Sequence, residues 1–128
     1  MYILDTNVII EMLRSNHKVI DKIMEVGIDR CCISEMTIAE LYYGAVKGNR
    51  QKNFDDIHVV ERTFRIIPVY PSFEEYARTR LSLNQKGTPL DVMDLLIGCT
   101  ALHKGYVMVT HNKKHMGLIP ELRIEDWQ

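Results

Sequence analysis

MYILDTNVII, residues 1–10, places one carboxylate, Asp5, between two apolar runs and carries no other charge. Residues 2–4 are typical of a short strand and residues 6–14 of a helix, so Asp5 stands at a strand-to-helix turn. A lone carboxylate is seldom buried without a partner, because the ionised group either destabilises the fold or takes up a proton. This segment therefore predicts an α/β unit with an acidic group at the end of its first strand.

The same alternation of short apolar runs and helical patterns continues along the chain. The predicted strands are residues 2–4, 31–34, 64–69, 106–109 and 122–124. The predicted helices are residues 6–14, 18–26, 35–48 with Ser34 as cap, 51–63, 74–85, and one that begins at Thr88-Pro89. Strands separated by helices indicate βαβ units. We expect one α/β domain spanning residues 1–128, a three-layer sandwich with a mostly parallel sheet of four to five strands and helices on both faces.

Two further acids, Glu40 and Asp94, are also the only charges in apolar segments, MTIAELYYGAV (36–46) and VMDLLIGCTALH (92–103). In open parallel sheets a ligand site lies beyond the carboxyl ends of the strands, where strand order reverses. Asp5 follows the first strand, and the helices that carry the other two acids should begin at that edge. Like charges about 4 Å apart repel by about 4 kcal/mol at an effective dielectric of 20, so a cluster needs a proton or a cation. Oxygen ligands without Cys or His favour Mg²⁺ or Mn²⁺.

Each of the three acids, and also Asp91, has a purely structural interpretation. Glu40 closes a T-I-A-E stretch with capping-box spacing, although Ser34 is a better start signal and metal binding is favoured. Asp91 follows Thr88 at the same spacing, and there capping is favoured, with metal binding as the alternative. Asp5 could satisfy backbone donors at its turn, and Asp94 could pair with a buried arginine.

Composition narrows the class of protein. The formal net charge is −1 over 128 residues, which argues against a generally basic surface, so any nucleic-acid contact would be local. Cys31, Cys32 and Cys99 lack C-x-x-C spacing and lie in apolar runs, which indicates buried thiols in a reducing compartment. No apolar stretch approaches the length of a membrane span and the start lacks a signal-peptide pattern, so we expect a cytoplasmic protein with no membrane partner.

Five motifs carry a resemblance to a known family: LDTNVII (4–10), SEMTIAELYYG (34–44), DLLIGCTA (94–101), VTHN (109–112) and the closing LRIEDW (122–127). In order and spacing they resemble PIN-domain ribonucleases, and among these the VapC-type toxins of toxin–antitoxin pairs. The resemblance implies a PIN fold and a Mg²⁺- or Mn²⁺-dependent endoribonuclease. Asp5, Glu40 and Asp94 stand at the positions of the three metal-binding acids of that family.

The resemblance also assigns the neighbours of these acids. Thr6 and Asn7 would line the site beside Asp5, and Thr110 matches the polar stretch after the fourth strand. The family often has a further acid in that stretch, whereas this chain has the neutral Asn112. Asp91 and Asn112 are therefore candidate additional ligands.

The expected chemistry is hydrolysis of RNA phosphodiesters by metal-activated water, without a covalent intermediate. The basic residues proposed to draw the RNA are Lys47, Arg50, Lys52, Lys113 and Lys114. His111 and His115 could assist proton transfer near the site, although surface histidines without a role are the favoured interpretation. The resemblance further implies a homodimer held inactive by a small antitoxin whose tail enters the acidic groove. The apolar stretch Leu41, Tyr42 and Tyr43 could serve the core or a partner, and the core is favoured.

Two other functions remain open from the residues. One is a non-catalytic PIN-fold module that binds RNA or protein. The other is a Mg²⁺-dependent phosphate-accepting receiver domain, which would also use a parallel sheet and an acidic cluster. The receiver is disfavoured, because it needs two adjacent acids after strand one, where Asp5-Thr6 stands, and an aspartate ending strand three, where Tyr70-Pro71 follows.

Overall fold

The computed structural model describes residues 1–128 and is built around one five-stranded sheet with the order β3-β2-β1-β4-β5. All four strand pairs are parallel. The strands are β1 (Tyr2–Leu4), β2 (Cys31–Ser34), β3 (Arg65–Ile67), β4 (Val107–Val109) and β5 (Ile124–Glu125). The helices are α1 (Thr6–Leu13), α2 (His17–Val26), α3 (Glu35–Gly48), α4 (Gln51–Thr63), α5 (Phe73–Gln85), α6 (Val92–Lys104) and α7 (Lys113–Met116), with 3₁₀ turns at Ile28–Arg30 and Tyr70–Ser72.

Two separate hydrophobic clusters cover the two faces of the sheet, as the predicted sandwich requires. Neighbouring residues of a strand point to opposite faces, so Ile3 belongs to one cluster and Leu4 to the other. The first cluster packs the sheet against α5 and α6, through residues such as Leu83 and Leu95. The second packs it against α1, α2 and α4 and includes Trp127. The predicted three-layer α/β architecture is confirmed.

The predicted start of the sixth helix is wrong. Helix α6 begins at Val92, and Asp91 is its N-cap, with Oδ1 accepting hydrogen bonds from the N–H groups of Met93 (2.9 Å) and Asp94 (3.4 Å). The hydroxyl of Thr88 instead points back to the carbonyl of Leu83 at 3.5 Å. A carboxylate accepting two N–H groups fits a helix start better than one hydroxyl does. Asp94 consequently lies in the first turn of α6.

The outer strands are shorter than predicted. β3 lacks the ends of the predicted run 64–69, because the N–H of Phe64 still bonds the carbonyl of Val60 at the end of α4. β5 begins two residues late, because the N–H of Leu122 bonds the Ile119 carbonyl in a turn. Pairing with β4 starts only at Ile124, which lies opposite Met108.

Helix α6 packs closely against the end of α7 and the segment that follows it. A Cβ added to Gly98 would come within 2.5 Å of Ile119 Cδ1 and 2.8 Å of Met116 Cε, and both of those side chains are buried. Because Gly98 lies one turn beyond Asp94, this approach fixes the start of α6 relative to the polar stretch after β4.

Three further predictions concern the cysteines, the aromatic stretch of α3 and membrane-spanning helices. The three cysteines are buried and free, as predicted. The favoured core interpretation of the aromatic stretch is wrong for Tyr42 and Tyr43, which are 37% and 71% exposed, and only Leu41 packs against a buried cluster. None of the helices has the length and apolar character needed to cross a membrane.

Candidate active site

The order of the strands in the sheet reverses at β1, the strand that Asp5 follows. β1 pairs with β2 on one side and with β4 on the other. Asp5 follows β1, and its N–H donates to the Val109 carbonyl of β4 at 2.9 Å. Helix α3, which carries Glu40, follows β2. The carboxyl ends of these three neighbouring strands therefore converge on one edge, as predicted.

Asp5 is held firmly at this edge. Its side chain is buried, with 4% of the residue exposed. Oδ1 accepts the Thr6 N–H at 2.8 Å, so Asp5 caps α1, and Oδ2 accepts the hydroxyl of Thr110 at 2.8 Å. Burial raises the pKa of Asp5 in spite of these two bonds and the nearby imidazole of His111. The predicted bond to backbone donors is thus present, in addition to the position in the acidic site.

Glu40 reaches the same site from α3. The hydroxyl of Thr6 donates to Glu40 Oε1 at 2.6 Å and lies 3.1 Å from the hydroxyl of Thr37. Ser34 caps α3 through the Met36 N–H, so the capping interpretation of Glu40 is wrong. Burial, followed by the neighbouring charges of Asp5 and Asp91, raises the pKa of Glu40, although the Thr6 bond opposes the shift.

The pKa of Asp94 is raised by burial and by the other carboxylates of the site. Burial, and then the negative charges of Asp5, Asp91 and Glu40, raise the pKa of Asp94 to about 6, although His115 partly offsets the shift. None of these four carboxylates forms an ion pair with a lysine or arginine. The alternative of an arginine partner for Asp94 is therefore wrong, and no lysine or arginine pairs with the negative charge at this edge.

The donor chemistry of the site fits a hard divalent cation, but the side chains are not yet arranged around one. No three His, Cys, Asp or Glu side chains lie close enough together to hold a single ion as they stand. Asp5 and Glu40 are turned toward threonine hydroxyls and an N–H group. Each carboxylate keeps free lone pairs, because its two oxygens have about four acceptor sites. Holding an ion would require the carboxylates to draw closer together, and the free lone pairs allow Asp5 and Glu40 to keep their threonine partners as they do so.

Neutral side chains beside the carboxylates bond one another or the backbone after β4. Asn112 donates its N–H to Thr110 Oγ1 at 3.0 Å, and its Oδ1 lies 2.8 Å from Nδ1 of His115. Asn7 Oδ1 accepts the N–H of His111 at 3.3 Å. Thr6, Asn7 and Thr110 therefore contact Asp5, Glu40 or each other, while the amide oxygen of Asn112 is occupied by an imidazole.

One pair at the site was missed from the sequence. His111, interpreted as a surface histidine, has only 12% of its side chain exposed, and its Nδ1 lies 2.9 Å from Oδ1 of Asp126. Asp126 follows β5, which neighbours β4, so the rule that carboxyl ends of adjacent parallel strands meet could have joined the two. Without the strand order, nothing in the sequence links residues 15 positions apart.

The basic residues proposed for RNA lie on the surface. Lys52 is engaged with Asp56 at 3.3 Å within α4, and the others are exposed at the end of α3, before α4 and in α7. They are Lys47, Arg50, Lys113 and Lys114.

A groove of about 320 Å³ leads away from Glu40 between α1, α3 and α4. Its floor is apolar, with Ile10, Leu41 and Ala45, and charged groups such as Arg14 stand at its rim. Gly44 leaves part of the groove open, because a Cβ there would meet no atom within 4 Å.

The raised pKa of Asp94 gives a prediction about stability without metal. Since the folded pKa, about 6, lies above the ordinary 3.8, ionisation of Asp94 destabilises the fold, and stability is lost as pH rises from about 4 to 6. Asp94→Asn is therefore expected to raise the Tm of the metal-free protein at pH 7 by about 3 °C or more. The gain should shrink toward pH 4. Scanning calorimetry in EDTA measures it.

Asp55→Asn is the matched control for this measurement, because Asp55 is exposed on α4 and bonds only Gln51. Its Tm should stay within about 1 °C of the unsubstituted chain, as for most surface changes. A fall in Tm on Asp94→Asn at pH 7 would mean that the ionised carboxylate stabilises this fold, against the electrostatic account.

Comparison with known proteins agrees with this geometry. The sequence profile of the PIN domain family matches residues 2–117. The chain is 33% identical to the "tRNA(fMet)-specific endonuclease VapC" of Salmonella typhimurium, over 98% of this chain and 97% of that protein. It is also 33% identical to "Ribonuclease VapC1" of Haemophilus influenzae, over 99% and 98%.

Solved structures give the same result. VapBC2 from Rickettsia felis, bound to a DNA fragment from its promoter, superimposes with a TM-score of 0.90 and 27% identity, covering 99% of this chain and 98% of that one. The fold is therefore that of a PIN domain and not that of a phosphate-accepting receiver domain. The family profile, the full-length similarity and the shared fold together establish that the chain belongs to the PIN-domain family, among the VapC-type ribonucleases.

Proposed function

We propose that this protein is a Mg²⁺- or Mn²⁺-dependent endoribonuclease and the toxin of a toxin–antitoxin pair. The observation that carries the proposal is the convergence of Asp5, Glu40 and Asp94, whose pKa values are all raised and which have no lysine or arginine partner. A site that gathers uncompensated carboxylates binds a cation readily, because the cation removes their repulsion. The similar proteins named as ribonucleases support the reaction class.

In the proposed mechanism the three carboxylates hold the cation at the switch point. The bound ion would supply an acidified water, polarise the phosphoryl oxygen and stabilise the leaving oxygen. The chain itself orients the carboxylates: Thr110 fixes Asp5, and Thr6 fixes Glu40. Asp91 is assigned as the cap of α6 and Asn112 as the partner of His115, so neither is needed as a ligand.

The proposed substrate is RNA, drawn by the exposed basic residues named above. Because a similar Salmonella protein is named for tRNA(fMet), initiator tRNA is the first substrate to test, beside other tRNAs and an unstructured RNA of equal length. Incubation with Mn²⁺ should give a few discrete internal fragments of a preferred RNA. Progressive shortening from one end would contradict an endonuclease. Products ending in 2′,3′-cyclic phosphate would indicate attack by the ribose hydroxyl instead of water.

We further propose that a small antitoxin inhibits the protein by filling the groove beside Glu40. Several similar solved structures are described as VapBC complexes, which supports a partner of this kind. The apolar floor suits an amphipathic segment, and the acidic end at Glu40 suits a basic side chain on it. Such a segment would cover the groove and neutralise the carboxylates together.

Filling the groove should break this complex. Gly44→Phe places a ring in open groove space on an exposed helix face, so it is expected to weaken antitoxin binding at least about tenfold while the fold persists. Gly44→Ala is the matched control, because a methyl group meets nothing there. Co-expression with the product of the neighbouring open reading frame, followed by calorimetry, measures the affinity. Equal affinity for both variants would place the antitoxin elsewhere.

The homodimer is also a proposal. Exposed apolar side chains on α3, Tyr43 and Val46, offer a surface for a second copy. Light scattering should then give a mass near twice 14.9 kDa for the isolated chain. A monomer mass at micromolar concentration would contradict it.

A further inference from the structure

The last residues of the chain are anchored beside the acidic site. β5 pairs with β4, Thr110 donates its N–H to the Glu125 carbonyl at 3.0 Å, and Trp127 is buried edge-on against Tyr2 with ring centroids 5.3 Å apart. Indole Nε1 of Trp127 donates to Glu125 Oε1 at 3.0 Å. Asp126, between these two anchored residues, therefore has a fixed place.

Asp126 meets a buried histidine from that place. Its Oδ1 lies 2.9 Å from Nδ1 of His111 and also accepts the Gln128 N–H at 3.1 Å. A carboxylate only accepts, so Nδ1 of His111 carries the donated proton. Nε2 of His111 is buried and has no hydrogen-bond partner. The imidazole ring is thus held at one nitrogen, by Asp126.

His111 in turn belongs to the stretch that holds Asp5. Its N–H donates to Asn7 Oδ1 at 3.3 Å, and Asn7 Nδ2 lies 3.5 Å from Thr110 Oγ1. Thr110 Oγ1 donates to Asp5 Oδ2 at 2.8 Å. The contacts form one path from the C-terminal tail to the first acid of the site. Because β5 is only two residues long, its backbone pairing with β4 alone would hold residues 110–112 weakly.

From this path we infer that Asp126 and His111 are positioning residues: they fix residues 110–112 so that Thr110 holds Asp5 in the orientation that binds the catalytic cation. The inference rests on the proposed function. Groups that orient a metal ligand typically contribute about 10- to 100-fold in metal affinity or activity.

Asp126→Ala tests the inference, and the chain offers a matched control. Glu75 and His103 form a second carboxylate–imidazole pair, 2.7 Å apart between α5 and α6, with both side chains partly exposed. Glu75→Ala removes the same kind of bond away from the site. Asp126→Asn is the conservative variant, because its amide oxygen still accepts a hydrogen bond from Nδ1.

Two measurements need no RNA. Calorimetry should show Mn²⁺ binding about tenfold or more weaker in Asp126→Ala and unchanged in Glu75→Ala. Hydrogen exchange of the metal-free protein should be about tenfold faster at the His111 and Asn112 amides in Asp126→Ala only, because the loop has lost a charge-assisted bond. Asp126→Asn should restore both values to within about threefold of the unsubstituted chain.

Cleavage kinetics complete the test. In Asp126→Ala, kcat should fall about tenfold or more while KM for RNA changes less than about threefold. Unchanged Mn²⁺ affinity with a lowered Tm would overturn the inference in favour of a merely structural pair, and a rise in KM alone would overturn it in favour of an RNA contact. An unsubstituted chain that neither binds Mn²⁺ nor cleaves would refute the proposed function itself, and the inference with it.

Discussion

Replacing Asp5 by asparagine is expected to lower kcat for RNA cleavage by about a thousandfold while the protein stays folded. The cation is expected to supply several kcal/mol of transition-state stabilisation, and each 1.36 kcal/mol corresponds to a factor of ten in rate. Asparagine matches aspartate in shape and can still accept the Thr6 N–H that caps α1. The variant thus removes one negative charge at the centre of the site with little change in packing.

Asp91→Asn is the matched control for this prediction. It removes a charge that acts on both Glu40 and Asp94, yet asparagine caps a helix as well as aspartate does. We expect its kcat to stay within about threefold of the unsubstituted chain, because the cap role needs no charge. A loss as large as that of Asp5→Asn would make Asp91 a metal ligand and contradict the three-acid assignment.

The measurement is single-turnover cleavage of the preferred RNA with saturating Mn²⁺. Equal cleavage by Asp5→Asn and the unsubstituted chain would point to a contaminating nuclease and remove the catalytic claim. If neither protein cleaves any RNA but the unsubstituted one still binds it, the non-catalytic PIN-fold module is the better account.

Removal of divalent cations is expected to abolish cleavage, with Mn²⁺ or Mg²⁺ restoring it. Oxygen-only sites with several carboxylates prefer these hard ions, and water without a bound cation is a poor nucleophile at neutral pH. The loss in EDTA should be on the order of a thousandfold or more, as large as that of Asp5→Asn. Because the two changes remove the same interaction, EDTA should lower the residual activity of that variant little further.

A binding readout accompanies this prediction. A cation that binds only the folded state at a hundredfold excess over its Kd stabilises by about 2.7 kcal/mol, so Mn²⁺ should raise the Tm of the unsubstituted protein. Asp5→Asn should lack that rise. Cleavage that continues unchanged in EDTA, with no effect of Mn²⁺ on Tm, would contradict a metal-dependent mechanism.

Much of the fold could be predicted from the sequence because local signals agree with the final structure. The alternation of apolar runs places β1 and β2 correctly, and Ser34 caps α3 as expected. The start of α6 could not be placed, because Thr88-Pro89 and Asp91 are both good start signals. Only tertiary packing, with Thr88 turned back onto α5, selects Asp91.

The site could be predicted in part for a different physical reason. A lone charge in an apolar segment is expensive to bury, so Asp5, Glu40 and Asp94 stand out in the sequence itself. His111 and Asp126 do not, because their burial depends on the neighbouring positions of β4 and β5. The exposure of Tyr43 is equally invisible, since an aromatic residue in a helix suits either a core or a surface that receives a partner.

A crystal structure of the protein soaked in Mn²⁺, with anomalous scattering used to locate the ion, would show directly whether the three acids bind one cation. We predict a peak at the carboxyl ends of β1 and β4, with oxygens of Asp5, Glu40 and Asp94 about 2.0–2.3 Å from it. Asp91 should remain on the first N–H groups of α6. No peak at this edge, or a peak held by other residues and not by these three carboxylates, would contradict the three-acid metal site.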